Sequence, residues 1–246
     1  MIPLRDFLKL ILPPAAVIWR RRVPDIPGPQ SLPPAAPVPA AVQPLVQRHT
    51  IRLGLQDSPP FMMLDTERAR IVWSMARQCS HLAGDFLEAG VYRGGSALLI
   101  WRALQAEGVK RSFHLFDSFA GLPAPGDRDR HAEGDLSDTS VEDVRSLFAE
   151  TQAGVLHQGW IPETFRDCGV GAVAFAHVDL DLERSVLDAC EFIYPRLQHG
   201  GIIVFDDYGF PSCPGARAAV DAFFEDLPEV PLVLPTGEAV AFRLSS

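Results

Sequence analysis

The chain is short of what several function classes require. It has no C-x-x-C pair. Its four cysteines, Cys79, Cys168, Cys190 and Cys213, are scattered, so neither a zinc site nor a dithiol redox motif is expected. Cys190 lies in an apolar helical run and reads as a small core residue. A reducing cytoplasm is the simplest setting for such a chain. Positive charge is also scarce: the net charge is −9. Nucleic-acid binding needs clustered Lys and Arg to neutralise phosphates, so no nucleic-acid partner is expected. The dinucleotide pattern G-x-G-x-x-G is missing, which argues against a plain NAD site. No apolar run is long enough to span a bilayer. Leu8 to Trp19 is interrupted by Pro13-Pro14 and is too short. Arg20-Arg21-Arg22 follows it, the reverse of a signal peptide's order. An apolar stretch beside a basic cluster can bind anionic lipid, so a weak N-terminal surface contact is the one membrane reading left open.

What is present suits one domain of ordinary size with an appended segment. The chain has 246 residues, of which 47% are hydrophobic and 22% charged, enough for a sizeable core. Residues 1–50 contain a proline-rich stretch, including Pro24, Pro27, Pro29, Pro33, Pro34, Pro37 and Pro39, and read as an arm or linker. The folded domain is expected over 51–246.

The stretch from Phe86 to Trp101 organises that domain. Asp85-Phe86-Leu87-Glu88 reads as a strand, Gly90, Gly94 and Gly95 as a turn, and Ser96 to Gln105 as a helix. Strand, glycine turn and helix open a doubly wound α/β fold, and the helix N-terminus there offers free N–H groups to a ligand.

The remaining elements follow in order. A helix begins at Asp65 or Thr66 and runs to Cys79. The apolar Phe61-Met62-Met63-Leu64 before it is either a core edge or a lid. Ser112 to Asp117 is the second strand. Asp117 either holds two vicinal ribose hydroxyls or ends a strand at the surface. Residues 124–139 are a polar surface loop, either of the kind that closes active sites or merely solvated. Thr139 or Ser140 caps a helix running to about Glu150. Gly154 to His157 is a short strand followed by Gly159-Trp160, where the indole either stacks on a purine or fills the core.

Ala172 to Val178 and Gly201 to Phe205 are nearly all apolar, as strands buried on both faces are. A helix from Glu183 to Leu197 lies between them, stopped by Gly200-Gly201. After a helix over Ala216 to Phe224, two strands around Pro235-Thr236-Gly237 make a closing hairpin.

Both buried strands end in acids: Asp179-Leu180-Asp181 and Asp206-Asp207. Adjacent parallel strands would bring Asp179, Asp206 and Asp207 to one edge. Their repulsion calls for a proton or a cation, and an all-oxygen cluster suits Mg²⁺ or Mn²⁺, with Ca²⁺ also accommodated. Strand alternation turns His177 away from this edge, so it reads as structural.

Four motifs carry a resemblance. Glu88-Ala-Gly-Val-Tyr-Arg-Gly-Gly-Ser96, Phe116-Asp-Ser-Phe-Ala-Gly-Leu-Pro123, Asp179-Leu-Asp-Leu182 and Asp206-Asp-Tyr-Gly209 resemble the TylF/MycF/NovP class of O-methyltransferases. The resemblance covers about residues 60–225. It implies a class I methyltransferase fold, S-adenosylmethionine as methyl donor and a divalent metal. It also implies a hydroxyl acceptor on a sugar or other small natural product or glycan, and suggests a homodimer. Carried over by position, Glu88, Gly90, Tyr92, Arg93, Gly94, Gly95 and Ser96 would cradle the donor's methionine part. Asp117 would hold its ribose hydroxyls, Ser118 would also contact the donor, and Trp160 would border its adenine. Asp179, Asp206 and Asp207 would hold the metal. Asp179 is the first candidate for the base and Asp181 the second. The chain departs from the pattern at Glu183, where members often have Tyr. Two other classes compete: a nucleotide-binding enzyme of the same fold, and a catalytically silent binding protein.

Overall fold

The computed structural model describes residues 62–149 and 154–244. The proline-rich stretch read as an arm or linker, and Phe61, lie outside them. Among the described residues, a seven-stranded sheet runs in the order β3-β2-β1-β4-β5-β7-β6. Strands β1 (Asp85–Ala89), β2 (Phe113–Asp117), β3 (Gly154–Gln158), β4 (Val173–Val178) and β5 (Leu197–Phe205) are parallel. β6 (Leu232–Val233) and β7 (Ala239–Phe242) form the antiparallel hairpin that closes one edge.

The sheet is covered on both faces, which is why β4 shows no alternation: all six of its residues are buried. One core cluster gathers Phe86, Phe113, Phe175 and Ile202 with apolar residues of α1 (Thr66–Cys79) and α2 (Gly95–Ala106). The other gathers Leu87, Phe116, Ile203 and Phe205 with α4 (Glu183–Ile193) and α5 (Pro214–Phe224). The short α3 (Val141–Leu147) precedes β3.

Local chemistry sets the element ends. Asp65 caps α1 by accepting from the Glu67 and Arg68 N–H groups, each at 2.9 Å. Ser140, rather than Thr139, caps α3 through the Asp143 N–H at 3.2 Å. α4 is shorter than its periodicity predicts. It gives way at Ile193 to a 3₁₀ turn, Tyr194–Arg196, that contains Pro195, because proline cannot donate to a continuing helix. Gly200-Gly201 therefore does not stop α4. It lies within β5, at an irregularity where Val173 pairs with Leu197 but Phe175 pairs with Ile202.

Gly90 joins the sheet to the site. Its φ is +87°, and a Cβ there would lie 1.6 Å from the Asp179 carbonyl oxygen. Only glycine lets the end of β1 pass that close to the end of β4.

Candidate active site

The parallel strands end together, and a cavity of about 290 Å³ opens at that edge. Its walls include Gly90, Tyr92, Gly95, Ser96, Asp117, Ser118 and Trp160 on one side. Asp179, Asp181, Asp206 and Asp207 lie on the other, joined by Arg68, His131, Phe210 and Cys213. Eleven of the fourteen residues singled out from sequence thus meet in one space.

Glu88, Arg93 and Gly94 do not line it. The Glu88 side chain is fully buried, and its Oε1 lies 2.8 Å from His177 Nδ1. Arg93 turns outward and donates from Nε to the Asp138 carbonyl at 2.9 Å. Gly94 faces the Leu147 and Val144 side chains of α3. The Glu88 and Arg93 side chains therefore do not face the cavity.

The turn is tied to β2. Asp117 Oδ2 accepts from the Val91 and Tyr92 N–H groups at 2.8 Å, and Oδ1 accepts from the Phe119 N–H at 2.7 Å. The carboxylate therefore positions the glycine turn while still bordering the cavity. α2 starts at Gly95 with no side-chain cap, so its first N–H groups are free to meet a ligand. Trp160 is 42% exposed, which places the indole at the cavity wall and not in the core. Met62, Met63 and Leu64 also line the space.

The acids are crowded and largely withdrawn from solvent. Asp179, Asp206 and Asp207 each offer an oxygen, all within 4.8 Å of one another. Burial, and then the Asp207 charge, push the Asp179 carboxyl well above the usual range. Burial likewise raises Asp207. Asp181 is pushed up to about 7, by burial first and by Asp207 second. Its backbone N–H donates to Asp207 Oδ2 at 2.9 Å, and it sits at φ +58°. A guanidinium answers this charge: Arg68 Nε donates to Asp206 Oδ1 at 3.1 Å while Cζ rests 4.7 Å from the centre of the Phe210 ring.

Behind the acids lies a buried polar row that the sequence did not disclose. His177 Nε2 is 3.8 Å from Asp206 Oδ1, although alternation turned it away from this edge. Burial alone would lower the His177 imidazole; the Glu88 hydrogen bond and the charges of Glu88, Asp179 and Glu238 outweigh it and raise it. Glu238, from the hairpin turn, is fully buried and is pushed up to about 7 by desolvation.

The 118–139 loop lies over the cavity through Gly121, Leu122, Pro123, His131 and Leu136. It is pinned at two points. Leu122 and Gly134–Asp135 exchange backbone bonds of 2.8 and 2.9 Å. Asp129 Oδ1 accepts from the Glu183 N–H at 2.9 Å, capping α4 where Leu182 cannot. Glu183 itself accepts from Arg128 at 2.5 Å, so the departure from the family's Tyr makes an ion pair to the loop. Arg68, His131 and Cys213 carried no spacing signal, because each reaches the cavity from a different segment.

Comparison with known proteins agrees with this architecture. Among solved structures, the O-methyltransferase NovP superposes with a TM-score of 0.68 over 80% of this chain and 90% of its own, at 24% identity. That likeness bears on the fold. A tetracenomycin-type 4'-O-methyltransferase of Streptomyces olivaceus is 34% identical over 148 residues, 54% of this chain and 56% of that protein. The demethyldecarbamoylnovobiocin O-methyltransferase of Streptomyces niveus is 32% identical over 167 residues, 60% of this chain and 63% of that protein. The matches thus span less than two thirds of these relatives' lengths. The profile of the macrocin-O-methyltransferase (TylF) family matches residues 43–231. On that span, with the sheet order and the motifs in place, this chain belongs to the macrocin-O-methyltransferase (TylF) family.

Proposed function

We propose that this protein transfers a methyl group from S-adenosylmethionine to a hydroxyl oxygen of a small natural product or glycan, a sugar hydroxyl above all, assisted by Mg²⁺ or Mn²⁺. One observation carries the reading. A single cavity has a glycine turn and helix N-terminus on one wall and converging carboxylates on the other, so a sulfonium donor and a hydroxyl acceptor can meet between them. Family membership and the sugar-modifying activities named for the relatives support it.

The donor supplies an electrophilic methyl carbon, and Trp160, Asp117 and the α2 N-terminus orient it. Asp179, Asp206 and Asp207 would hold the metal. Their all-oxygen donor set fits a hard cation, and Asp206 already draws a guanidinium. Bound there, the metal would acidify and align the acceptor hydroxyl. Asp181 is assigned the proton, in preference to Asp179. Asp179 is committed to the cluster, whereas Asp181 lines the same cavity outside it, placed to accept the proton as a general base.

The test is a mass screen: protein, S-adenosylmethionine and Mg²⁺ with panels of sugar, glycoside and phenol acceptors. A gain of one methylene on a hydroxyl acceptor is expected, and it should disappear with EDTA. Calorimetry with S-adenosylhomocysteine and NAD separates the rival classes. Binding of NAD alone, or of neither, would overturn the proposal.

A further inference from the structure

His131, Asp181 and Cys213 come from the cavity loop, the turn after β4 and the turn before α5. Their donor atoms close a triangle. His131 Nε2 is 3.5 Å from Asp181 Oδ1. Cys213 Sγ is 3.6 Å from that nitrogen and 3.4 Å from that oxygen. A tetrahedral zinc ion, with bonds of about 2.0–2.3 Å to N, O and S, sets its ligand atoms roughly 3.3–3.6 Å apart. Each edge of the triangle is close to that length. A second observation concerns orientation. His131 Nδ1 lies 3.4 Å from Asp135 Oδ2, and Asp135 is held by the Ala132 N–H at 2.9 Å. A carboxylate on the far nitrogen is what fixes the tautomer and aim of a metal-binding histidine. All three ligands line the cavity, so a fourth position would face it.

We propose that His131, Asp181 and Cys213 form a three-ligand site for a thiophilic divalent cation of the zinc class, separate from the all-oxygen cluster of Asp179, Asp206 and Asp207. The imidazole binds neutral through Nε2 and the carboxylate through Oδ1. As the S–metal bond forms, the thiol proton that now points at Asp181 leaves to solvent. A nitrogen, oxygen and sulfur set favours zinc over magnesium, so the two sites divide the two kinds of cation. Occupation engages Asp181 Oδ1, and zinc would then slow methyl transfer. That consequence alone rests on the base assignment above.

The full chain, stripped with a chelator and dialysed, is titrated with Co²⁺ in excess Mg²⁺. The expected result is one equivalent of Co²⁺ with a thiolate-to-cobalt charge-transfer band and tetrahedral d–d bands, displaced by Zn²⁺ and not by Mg²⁺. Cys213→Ser should abolish the charge-transfer band. His131→Gln, on a partly exposed loop residue, should weaken Co²⁺ binding about tenfold or more; it provides the test if the serine variant does not fold. Asp206→Asn should retain the band. Absence of a thiolate band in the wild type, its survival in Cys213→Ser, or unchanged affinity in His131→Gln would overturn the site. The readout is binding, so its failure is distinct from failure of the methyl-transfer assay.

Discussion

Replacing Gly90 by alanine tests how the sheet edge is built. The added Cβ would stand 1.6 Å from the Asp179 carbonyl oxygen, and real Cβ contacts stay beyond 3.0 Å. The end of β4 must therefore retreat, which breaks the 2.9 Å bond from the Asp179 N–H to the Ala89 carbonyl. Left-handed backbone without glycine costs roughly 1–2 kcal/mol, and a lost buried hydrogen bond adds about 1–1.5 kcal/mol. A loss of about 3 kcal/mol in urea unfolding is expected. Gly108 supplies the control: its φ is +66° and nothing lies within 4 Å of its missing Cβ. Gly108→Ala should show the backbone cost alone, about 1–2 kcal/mol. Because Asp179 moves, Gly90→Ala should also weaken Mn²⁺ binding, whereas Gly108→Ala should not. Equal stability losses, with metal binding intact in both, would refute the claim that the contact with Asp179 sets the site.

Two more predictions concern charge and the loop. Asp181 is raised from 3.8 to about 7, so the folded chain holds that proton more tightly than the unfolded chain does. Stability of the metal-free protein should fall as pH rises from about 4 through about 7. The raised Asp179 and Asp207 add to this fall, and the raised His177 continues it above 6.5. Calorimetric Tm in EDTA checks this; a Tm that climbs through that window would contradict it, and Mg²⁺ should flatten the fall. Asp129→Ala removes the cap of α4 and should cost about 1 kcal/mol. It should also raise proteolytic cleavage within 124–139 more than global unfolding explains; cleavage that only tracks global stability would show that Asp129 does not latch the loop.

Much of this protein is set by the order of residues along the chain. Two apolar runs, 172–178 and 201–205, announce doubly covered strands because burial on both faces leaves no polar positions. Glycines at 90, 94 and 95 announce the turn because backbone conformation is a local property, and acids closing the buried runs had to reach the sheet edge. Tertiary packing decided the rest. Glu88 faces His177 rather than a ligand, because the register of β1 on β4 sets the two side by side. His177 neighbours Asp206 because β5 lies against β4. Arg68 reaches Asp206 across 138 positions, and His131 approaches Cys213 across 82. Periodicity records which face of an element is buried. Which side chain lies opposite depends on the distance between elements and on rotamer direction, and those exist only once the chain has packed.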